Sequence, residues 1–232
     1  MCVTAQLPLN IQLRDDATFA SFYSGDNLQT VKALLRFSSG LDETSIYLWG
    51  TKGAGKSHLL QATCNAANEL GVPAVYLPLQ EWQTLSPVIL KDLENIPLIC
   101  VDDVQAITGN RAWEEALFHA YNRIKATATR LLVASDTSPF NIQIHLPDLK
   151  SRLTSGVTYQ LHKLNDDQKL FALTLRAKVR GLSLSKTVGQ FLLSRCSRDM
   201  NELFQTLETL DHASLAEQRR LTIPFIKQTL NI

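Results

Sequence analysis

The eight residues at positions 50–57, GTKGAGKS, constrain the fold of this chain more than any other stretch. They match the pattern Gly-x-x-x-x-Gly-Lys-Ser/Thr, in which glycines let the backbone wrap a phosphate group and turn its N–H groups inward. An apolar run, SIYLWG, precedes the pattern, and a helix-like stretch follows it. The positive end of such a helix would also attract a phosphate. The sequence therefore predicts a strand, a phosphate-binding loop and a helix, in that order.

Two side chains of this loop are expected to bind the nucleotide and its metal ion directly. We expect Lys56 to reach the β and γ phosphates of a nucleotide and the Ser57 hydroxyl to ligate Mg²⁺. The remaining predicted contacts come from the loop and the residue after it: Gly50, Thr51, Lys52, Gly53, Ala54, Gly55 and His58. The predicted cofactors are ADP or ATP together with Mg²⁺, and the residues do not distinguish the two nucleotides.

The pattern of apolar runs predicts an α/β fold with a doubly wound parallel sheet. Continuous runs rich in β-branched residues are typical of strands buried on both faces. They lie at positions 45–50, 74–79, 98–103, 130–135 and 157–161. Helix-like stretches alternate with them, at 56–70, around 88–93 and at 113–125, as a doubly wound sheet requires.

After position 161 the sequence changes to helical patterns only. Acidic residues at 166 and 167 are typical of a first helical turn, Gly181 of a helix end and Ser185 of an N-cap. These signals predict a small all-helical lid domain. We therefore divide the chain into an N-terminal tail (1–17), an α/β core (18–163) and a helical lid (164–232).

The composition of the chain limits the kinds of partner and the location that can be expected. Lys and Arg total 23 against 22 Asp and Glu, and the net charge of +1 predicts no strong attraction to DNA or anionic lipid. The four scattered cysteines are expected to be buried thiols rather than disulfides or metal ligands. No signal peptide and no apolar run of about 18 residues is present, so a cytoplasmic location without membrane contact is expected.

Acidic residues end the predicted third strand, in LICVDDVQ. Asp102 is expected to lie beside the Mg²⁺ ion on Ser57, and Asp103 to orient or deprotonate an attacking water. Acids also end strands and turns for structural reasons, but the position after the phosphate loop, with one predicted strand between, favours the metal site. After the next strand, Ser135 or Asp136 would sense the γ phosphate, although an ordinary strand-to-turn transition explains that cluster equally well.

Longer motifs carry a resemblance to a known family. FASFYSGDN, GAGKSHLL, VDDVQAI, LFHAYNRI, LPDLKSRL and LRAKVRGL follow one another along the chain. In this order they resemble the AAA+ ATPases of the DnaA branch and, within it, the DnaA-related regulatory inactivators, the Hda family. The resemblance implies an AAA+ core with a helical lid.

The resemblance also assigns residue roles. Arg152, in LPDLKSRL, matches the family's arginine finger, which stabilises charge on a partner's transferred phosphoryl group. Phe22, Tyr23 and Asn27 match the segment near the adenine base, although the aromatic pair would equally suit packing under the sheet.

The sensor 2 helix departs from the family. Asn201 stands where an arginine is expected, and Arg198, one helical turn earlier, would be its substitute. An amide cannot supply the charge of a guanidinium, which argues against efficient self-hydrolysis, whereas Asp103 would support it. Intrinsic ATPase activity therefore stays open.

The tail segment QLPLNI resembles the short motif by which replication proteins dock on the DNA polymerase III sliding clamp. Gln6 would make the polar contact, while Leu7, Leu9 and Ile11 would fill an apolar pocket. The usual form has proline one position before a final leucine, whereas here Pro8 comes earlier and Ile11 closes the motif. An edge strand in the tail is the alternative.

Together these features imply a regulator of chromosomal replication initiation. It would dock on the DNA-loaded clamp and promote hydrolysis of ATP bound to the DnaA initiator, reaching DNA only through the clamp, and a homodimer is compatible with this role. Because the sequence stops at the predicted lid, we expect it to lack the DNA-binding domain that DnaA carries. The alternatives are a helicase-loader-like accessory that binds single-stranded DNA and an enzyme that phosphorylates a small molecule.

Overall fold

The computed structural model describes residues 13–14, 16–41 and 43–232, and a five-stranded parallel sheet forms its centre. The strands are β1 (Ser45–Trp49), β2 (Ala74–Pro78), β3 (Leu98–Asp102), β4 (Arg130–Ser135) and β5 (Val157–Gln160). Their order across the sheet is β2-β3-β4-β1-β5, and every neighbouring pair is parallel. The predicted doubly wound parallel sheet is confirmed.

Helices cover both faces of the sheet because successive strand residues point to opposite sides. On one face, α1 (Leu28–Ser38) and α2 (Lys56–Glu69) pack with Ile46 and Leu48 of β1. On the other, α3 (Arg111–Lys125) and α4 (Pro147–Leu153) pack with Tyr47. The sequence did not indicate α1 or α4.

Burial of the strands is uneven. Every residue of β3 and β4 is buried, as the continuous apolar runs predict, but β5 alternates between half-buried and exposed residues. The expectation of burial on both faces is therefore wrong for β5 and for most of β2, because each lies at a sheet edge with a single neighbouring strand.

The helix predicted around positions 88–93 is replaced by two 3₁₀ turns, Pro87–Leu90 and Leu93–Asn95. Asp92 between them has φ +61°, in the left-handed region. A residue in that conformation interrupts a right-handed helix, so the single-helix prediction is wrong.

Four helices form the lid: α5 (Asp166–Val179), α6 (Lys186–Arg195), α7 (Met200–Glu217) and α8 (Ile223–Leu230). They pack around their own apolar cluster, which includes Leu173, Leu207 and Phe225. Gly181 follows α5 with φ +75°, and the Ser185 hydroxyl accepts the Val188 N–H at 3.3 Å as the N-cap of α6. The predicted helical lid and both of its boundary signals are confirmed.

Cys64 and Cys100 are buried free thiols and Cys196 is a half-buried one, while Cys2 lies outside the described residues. Within the described ranges, no group of three or more His, Cys, Asp or Glu residues could hold a metal ion. None of the helices in those ranges has the length and apolar character to cross a bilayer.

Candidate nucleotide-binding site

The phosphate loop connects β1 to α2, and two of its glycines are required by its geometry. Gly53 has φ +79° and Gly55 has φ +99°, both in the left-handed region that favours glycine. A Cβ at Gly53 would lie 2.8 Å from Oδ2 of Asp199, and one at Gly55 would lie 2.7 Å from Cε2 of Phe22. The loop therefore needs glycine at both positions for its conformation and for close contact with its neighbours.

Lys56 begins α2 and is almost completely buried, with 6% of its surface exposed. Its Nζ donates to the carbonyl oxygens of Gly50, at 2.7 Å, and Thr51, at 3.4 Å. Burial lowers the pKa of Lys56, although the charges of Asp103 and Asp102 oppose the shift. A buried cation whose hydrogen-bond partners are neutral carbonyls would be stabilised further by an anionic ligand.

Asp102 ends β3 and is 1% exposed. The Tyr76 hydroxyl donates to its Oδ2 at 2.8 Å, and the Asp103 N–H donates to its Oδ1 at 2.9 Å. Burial and the nearby charge of Asp103 raise the pKa of Asp102, while hydrogen bonds from Ser57 and Tyr76 oppose the rise. A buried carboxylate beside a serine hydroxyl is the hard-oxygen ligand set that Mg²⁺ prefers, so these residues fit the ion.

Gln105 joins the ends of β3 and β4. Its Nε2 donates to Oδ1 of Asp103 at 2.8 Å, and its Oε1 accepts the N–H of Asp136 at 3.2 Å. Asp103 itself has φ +53°. The structure thus brings Asp103 and Asp136 to the same edge of the sheet, whereas Ser135 is fully buried and lies 3.5 Å from the Thr137 hydroxyl.

A cavity of about 480 Å³ lies between the phosphate loop and the lid. On the core side it is lined by residues of the loop and of the adjoining strand ends, and on the lid side by Arg176, Met200, Asn201 and Phe204. Asn201 lies in the first turn of α7, where Asp199 caps the helix by accepting the N–H groups of Asn201 and Glu202. The N-terminal end of α7, which carries a partial positive charge, therefore lies beside the phosphate loop, where Asp199 approaches Gly53.

The N-terminal segment is fastened to the lid by ion pairs. The Asp16 carboxylate makes a short contact with the Arg176 guanidinium and lies 3.4 Å from Nη2 of Arg180. Arg176 also donates to the backbone oxygen of Asp16 at 3.0 Å. Burial would raise the pKa of Asp16, but the charges of Arg176 and Arg14 outweigh it and hold the pKa below its usual value. We call Asp16, Arg176 and Arg180 the lid latch.

The residues predicted near the base divide into two groups. Phe22 and Tyr23 line the cavity, as does His58, which was predicted as a contact of the phosphate loop, and Tyr23 stacks on Phe171 of the lid with ring centroids 5.8 Å apart. His58 Nε2 lies 2.9 Å from the Thr18 carbonyl, and burial lowers the pKa of His58. Asn27 is buried elsewhere: its Nδ2 donates to the His162 carbonyl at 2.9 Å and its Oδ1 accepts the His162 N–H at 2.8 Å.

The predicted arginines both lie away from the cavity lining. Arg198 is exposed and pairs with Asp166 at 3.4 Å on the lid surface. Arg152 lies half-buried near the end of α4, and its side chain has no hydrogen-bond or ion-pair partner among the described residues. The clamp motif at Gln6, Leu7, Leu9 and Ile11 lies outside the described residues.

Sequence reasoning missed three residues of this site. Gln105 follows the two aspartates directly, and a polar side chain at that position was the available signal. Arg176 stands in the LRAKVRGL motif without an assigned role. Tyr76, inside an apolar strand, carries no signal, because the contact of its hydroxyl with Asp102 depends on the pairing of β2 with β3.

The parallel sheet, the phosphate loop after β1, the acidic end of β3 and the lid over the cavity define a P-loop nucleotide-binding protein of the AAA+ class. Residues 13–160 match the family model of the bacterial DnaA ATPase domain, and residues 166–230 match that of the Hda lid domain. The chain belongs to the Hda/DnaA-related family of AAA+ ATPases. This membership supports a regulatory role related to replication initiation.

One relative and two solved structures show how similar this chain is to individual proteins. An uncharacterised protein of Haemophilus influenzae is 47% identical over 98% of this chain and 99% of its own. Domain III of the replication initiation protein DnaA from Thermotoga maritima superposes with a TM-score of 0.81 at 20% identity, over 95% of this chain and 98% of that one. AMPPCP-bound DnaA from Aquifex aeolicus gives 0.72 at 23% identity, over 85% and 66%. At these identities the two solved structures support the fold alone.

Proposed function

We propose that this protein holds ADP or ATP with Mg²⁺ in its own site and promotes hydrolysis of ATP held by the DnaA initiator. It does so while docked on the DNA-loaded sliding clamp. The result is that the initiator is switched off after replication has begun.

The protein's own nucleotide sets the shape of the regulator. The phosphate loop wraps the phosphates with its N–H groups, Lys56 supplies the cation, and Ser57 and Asp102 hold Mg²⁺, which would neutralise phosphate charge. Asn201 and Arg176 approach the same cavity from the lid, so a bound nucleotide would contact both parts of the molecule. Asn201 supplies no positive charge, which favours retention of the nucleotide over rapid turnover.

The observation that carries the proposal is the setting of Arg152. Its guanidinium lies outside the lining of its own chain's cavity and is without a partner in the part of the chain that the structure describes. An arginine finger acting on a second molecule needs this combination, since a guanidinium already paired within its chain would have to break that pair first. Arginine fingers supply about 10³- to 10⁵-fold in rate.

The tail motif supplies the second half of the proposal. Gln6, Leu7, Leu9 and Ile11 would bind the clamp, which raises the local concentration of Arg152 around an initiator on the same DNA. Such tethering increases affinity without any new contact. The two parts therefore affect different kinetic quantities: the finger determines the maximal rate, and the tail determines the concentration needed to reach it.

The test is a single-turnover assay of ATP pre-bound to the DnaA initiator. We would titrate the ADP-loaded protein in the presence of clamp loaded on DNA. The variants are Arg152→Ala, the double variant Gln6→Ala/Leu7→Ala, and Arg220→Ala as a control, because Arg220 is exposed and lies outside the cavity lining.

We expect Arg152→Ala to lower the plateau of the titration, which is the maximal rate of ATP hydrolysis by the initiator, by about 10³-fold. The tail variant should keep the plateau and raise the half-saturating concentration by about 10²-fold, and Arg220→Ala should match the wild type. No stimulation by the wild-type protein, with initiator and clamp independently active, would overturn the proposal. Tight binding of single-stranded DNA would then favour the helicase-loader alternative.

A further inference from the structure

Helix α4, which carries Arg152, begins without a side-chain cap of its own. Its N-cap residue is Leu146, which offers no hydrogen-bond acceptor, and Pro147 at the first position has no N–H. The first N–H groups of a helix have no partners inside it and need acceptors from elsewhere. The start of α4 therefore depends on another element for its position.

Glu114 of α3 fixes this start by binding the backbone N–H groups of His145 and Leu146, the two residues just before Pro147, rather than those of the first helical turn. The Glu114 side chain is buried, with 2% of the residue exposed, and its carboxylate accepts three backbone N–H groups. Oε2 accepts from Leu146 at 2.8 Å and from His145 at 3.0 Å, and Oε1 accepts from Gly109 at 2.8 Å. Within the described ranges Glu114 makes no ion pair. The backbone N–H groups just before α4 supply most of its hydrogen bonds.

The other end of α4 is held from the same helix. Ser155 Oγ donates to the backbone oxygen of Arg152 at 2.7 Å. The Tyr121 hydroxyl lies 3.1 Å from Ser155 Oγ and can donate to it, because the serine proton is already engaged. Tyr121 is thus connected to the backbone of Arg152 through one serine.

The spacing of these two contacts matches the length of the helix they hold. Glu114 and Tyr121 are seven residues apart on α3, which places them on one face about 10 Å apart. Helix α4 has 7 residues and therefore about the same length. Between the two contacts, Leu149 and Leu153 of α4 are buried in the cluster that includes Leu117 of α3.

We propose that Glu114 and Tyr121 are positioning residues that fix α4 at its two ends and thereby direct Arg152 outward toward a partner's nucleotide. The inference rests on the proposed function for its consequence in activity, but the fixing of α4 stands on the hydrogen bonds alone. Positioning matters for a finger because a misplacement of about 1 Å can lower a rate by about 10²-fold.

The first experiment tests the fixing of α4 without any partner. Hydrogen exchange of the ADP-loaded, full-length protein would be compared for wild type, Glu114→Gln and Glu115→Gln. Glu115 is a matched control, since it is the next residue on α3 and pairs only with Arg111 at the surface. We expect the amides of residues 145–154 to exchange about tenfold faster or more in Glu114→Gln and at the wild-type rate in Glu115→Gln.

Amides of β3 serve as an internal reference for global stability. Unchanged exchange in 145–154, or an equal acceleration there and in β3, would overturn the proposal. Tyr121→Phe gives a second, milder variant that loses only the hydroxyl. In Tyr121→Phe the amides at the Arg152 end of α4 should exchange faster, whereas those of His145 and Leu146 should not.

The second experiment measures the consequence in the initiator assay. We expect Glu114→Gln to lower the plateau by about 10- to 100-fold and Tyr121→Phe by about threefold, with ADP affinity and the half-saturating concentration unchanged. Because both residues act through Arg152, adding Glu114→Gln to Arg152→Ala should change the plateau by less than about twofold.

A further large loss in the double variant would overturn the positioning role, because it would mean that Glu114 acts independently of Arg152. A wild-type protein that fails to stimulate would instead overturn the proposed function. In that case the exchange experiment would still decide whether Glu114 and Tyr121 hold α4.

Discussion

The phosphate loop and helix α4 each carry a basic side chain, but the two side chains differ in burial and in hydrogen bonding. Lys56 is buried and donates to the carbonyls of Gly50 and Thr51, so its charge is available only to a ligand that enters the cavity. Arg152 lies half-exposed, and the described residues give it no partner. A half-exposed charge keeps much of its hydration and can remain unpaired at little cost, whereas a buried one cannot. The difference separates a residue suited to the protein's own ligand from one suited to a second molecule.

Removing each charge in turn should affect the affinity for the protein's own nucleotide very differently. We expect Lys56→Ala to raise the Kd for a fluorescent ADP by about 100-fold, because it removes a charge-assisted contact to phosphate. Arg152→Ala should leave that Kd within about twofold. Fluorescence titration measures both.

Equal losses in the two variants would contradict the comparison, since they would place both charges at one nucleotide. An unchanged Kd for Lys56→Ala, with the fold verified by thermal unfolding, would mean that the loop is not the nucleotide site.

The lid latch should have a smaller effect on nucleotide binding than Lys56. It lies outside the phosphate loop and affects the nucleotide only by holding the lid over the cavity. Asp16→Asn removes the negative charge that Arg176 and Arg180 share, and we expect ADP to dissociate about tenfold faster as the lid opens more often. Stopped-flow displacement measures the rate. Asp166→Asn, which removes ion pairs with Arg198 and Lys169 on the lid, is the matched control and should change the rate by less than about twofold.

The pH dependence of the latch has a defined direction. The pKa of Asp16 lies below its unfolded value of 3.8, so the stabilisation is fully present above that value and is lost as the pH falls through the lower folded-state pKa. The stability difference between wild type and Asp16→Asn should therefore be constant from about pH 5 to 8 and shrink below about pH 4. A difference that already disappears near pH 6 would assign the effect to another group.

The smallest effect concerns the lid side of the cavity. Asn201→Arg would place a guanidinium at the N-terminal end of α7. We expect the affinity for ATP relative to ADP to rise by about threefold. The gain is small because the positive end of the helix repels the added charge. Arg198→Ala should leave both affinities unchanged, because Arg198 lies in a surface pair. Isothermal titration of both nucleotides would separate the two residues, and a loss in Arg198→Ala would contradict this placement.

Local sequence predicted the parts of the molecule that local sequence determines. The phosphate loop, the strand ending at Asp102 and the caps of the lid helices each depend on neighbouring residues, and the structure contains all of them. The latch and the support of α4 depend instead on distant contacts. Asp16 and Arg176 are 160 residues apart, and Glu114 and Leu146 are 32 apart. No periodicity or spacing in the sequence indicates such pairs.

Two predictions differ from the structure for the same reason, namely that distant contacts decide where the residues lie. Apolar content predicted burial for β5, but its place at the sheet edge is set by strand order rather than by its own residues. Asn27 was assigned to the base by resemblance, yet both atoms of its amide group bond to a backbone that lies 135 residues later.

The contact between Asn27 and His162 gives the two positions unequal freedom to vary. Asn27 contributes a donor and an acceptor from its side chain, and few other residues could supply both at the same reach. His162 contributes only its backbone N–H and carbonyl, while its side chain is exposed. Any residue except proline offers the same two groups. In a library of variants, position 162 should therefore accept almost every amino acid while position 27 accepts very few, although the two share the same pair of hydrogen bonds.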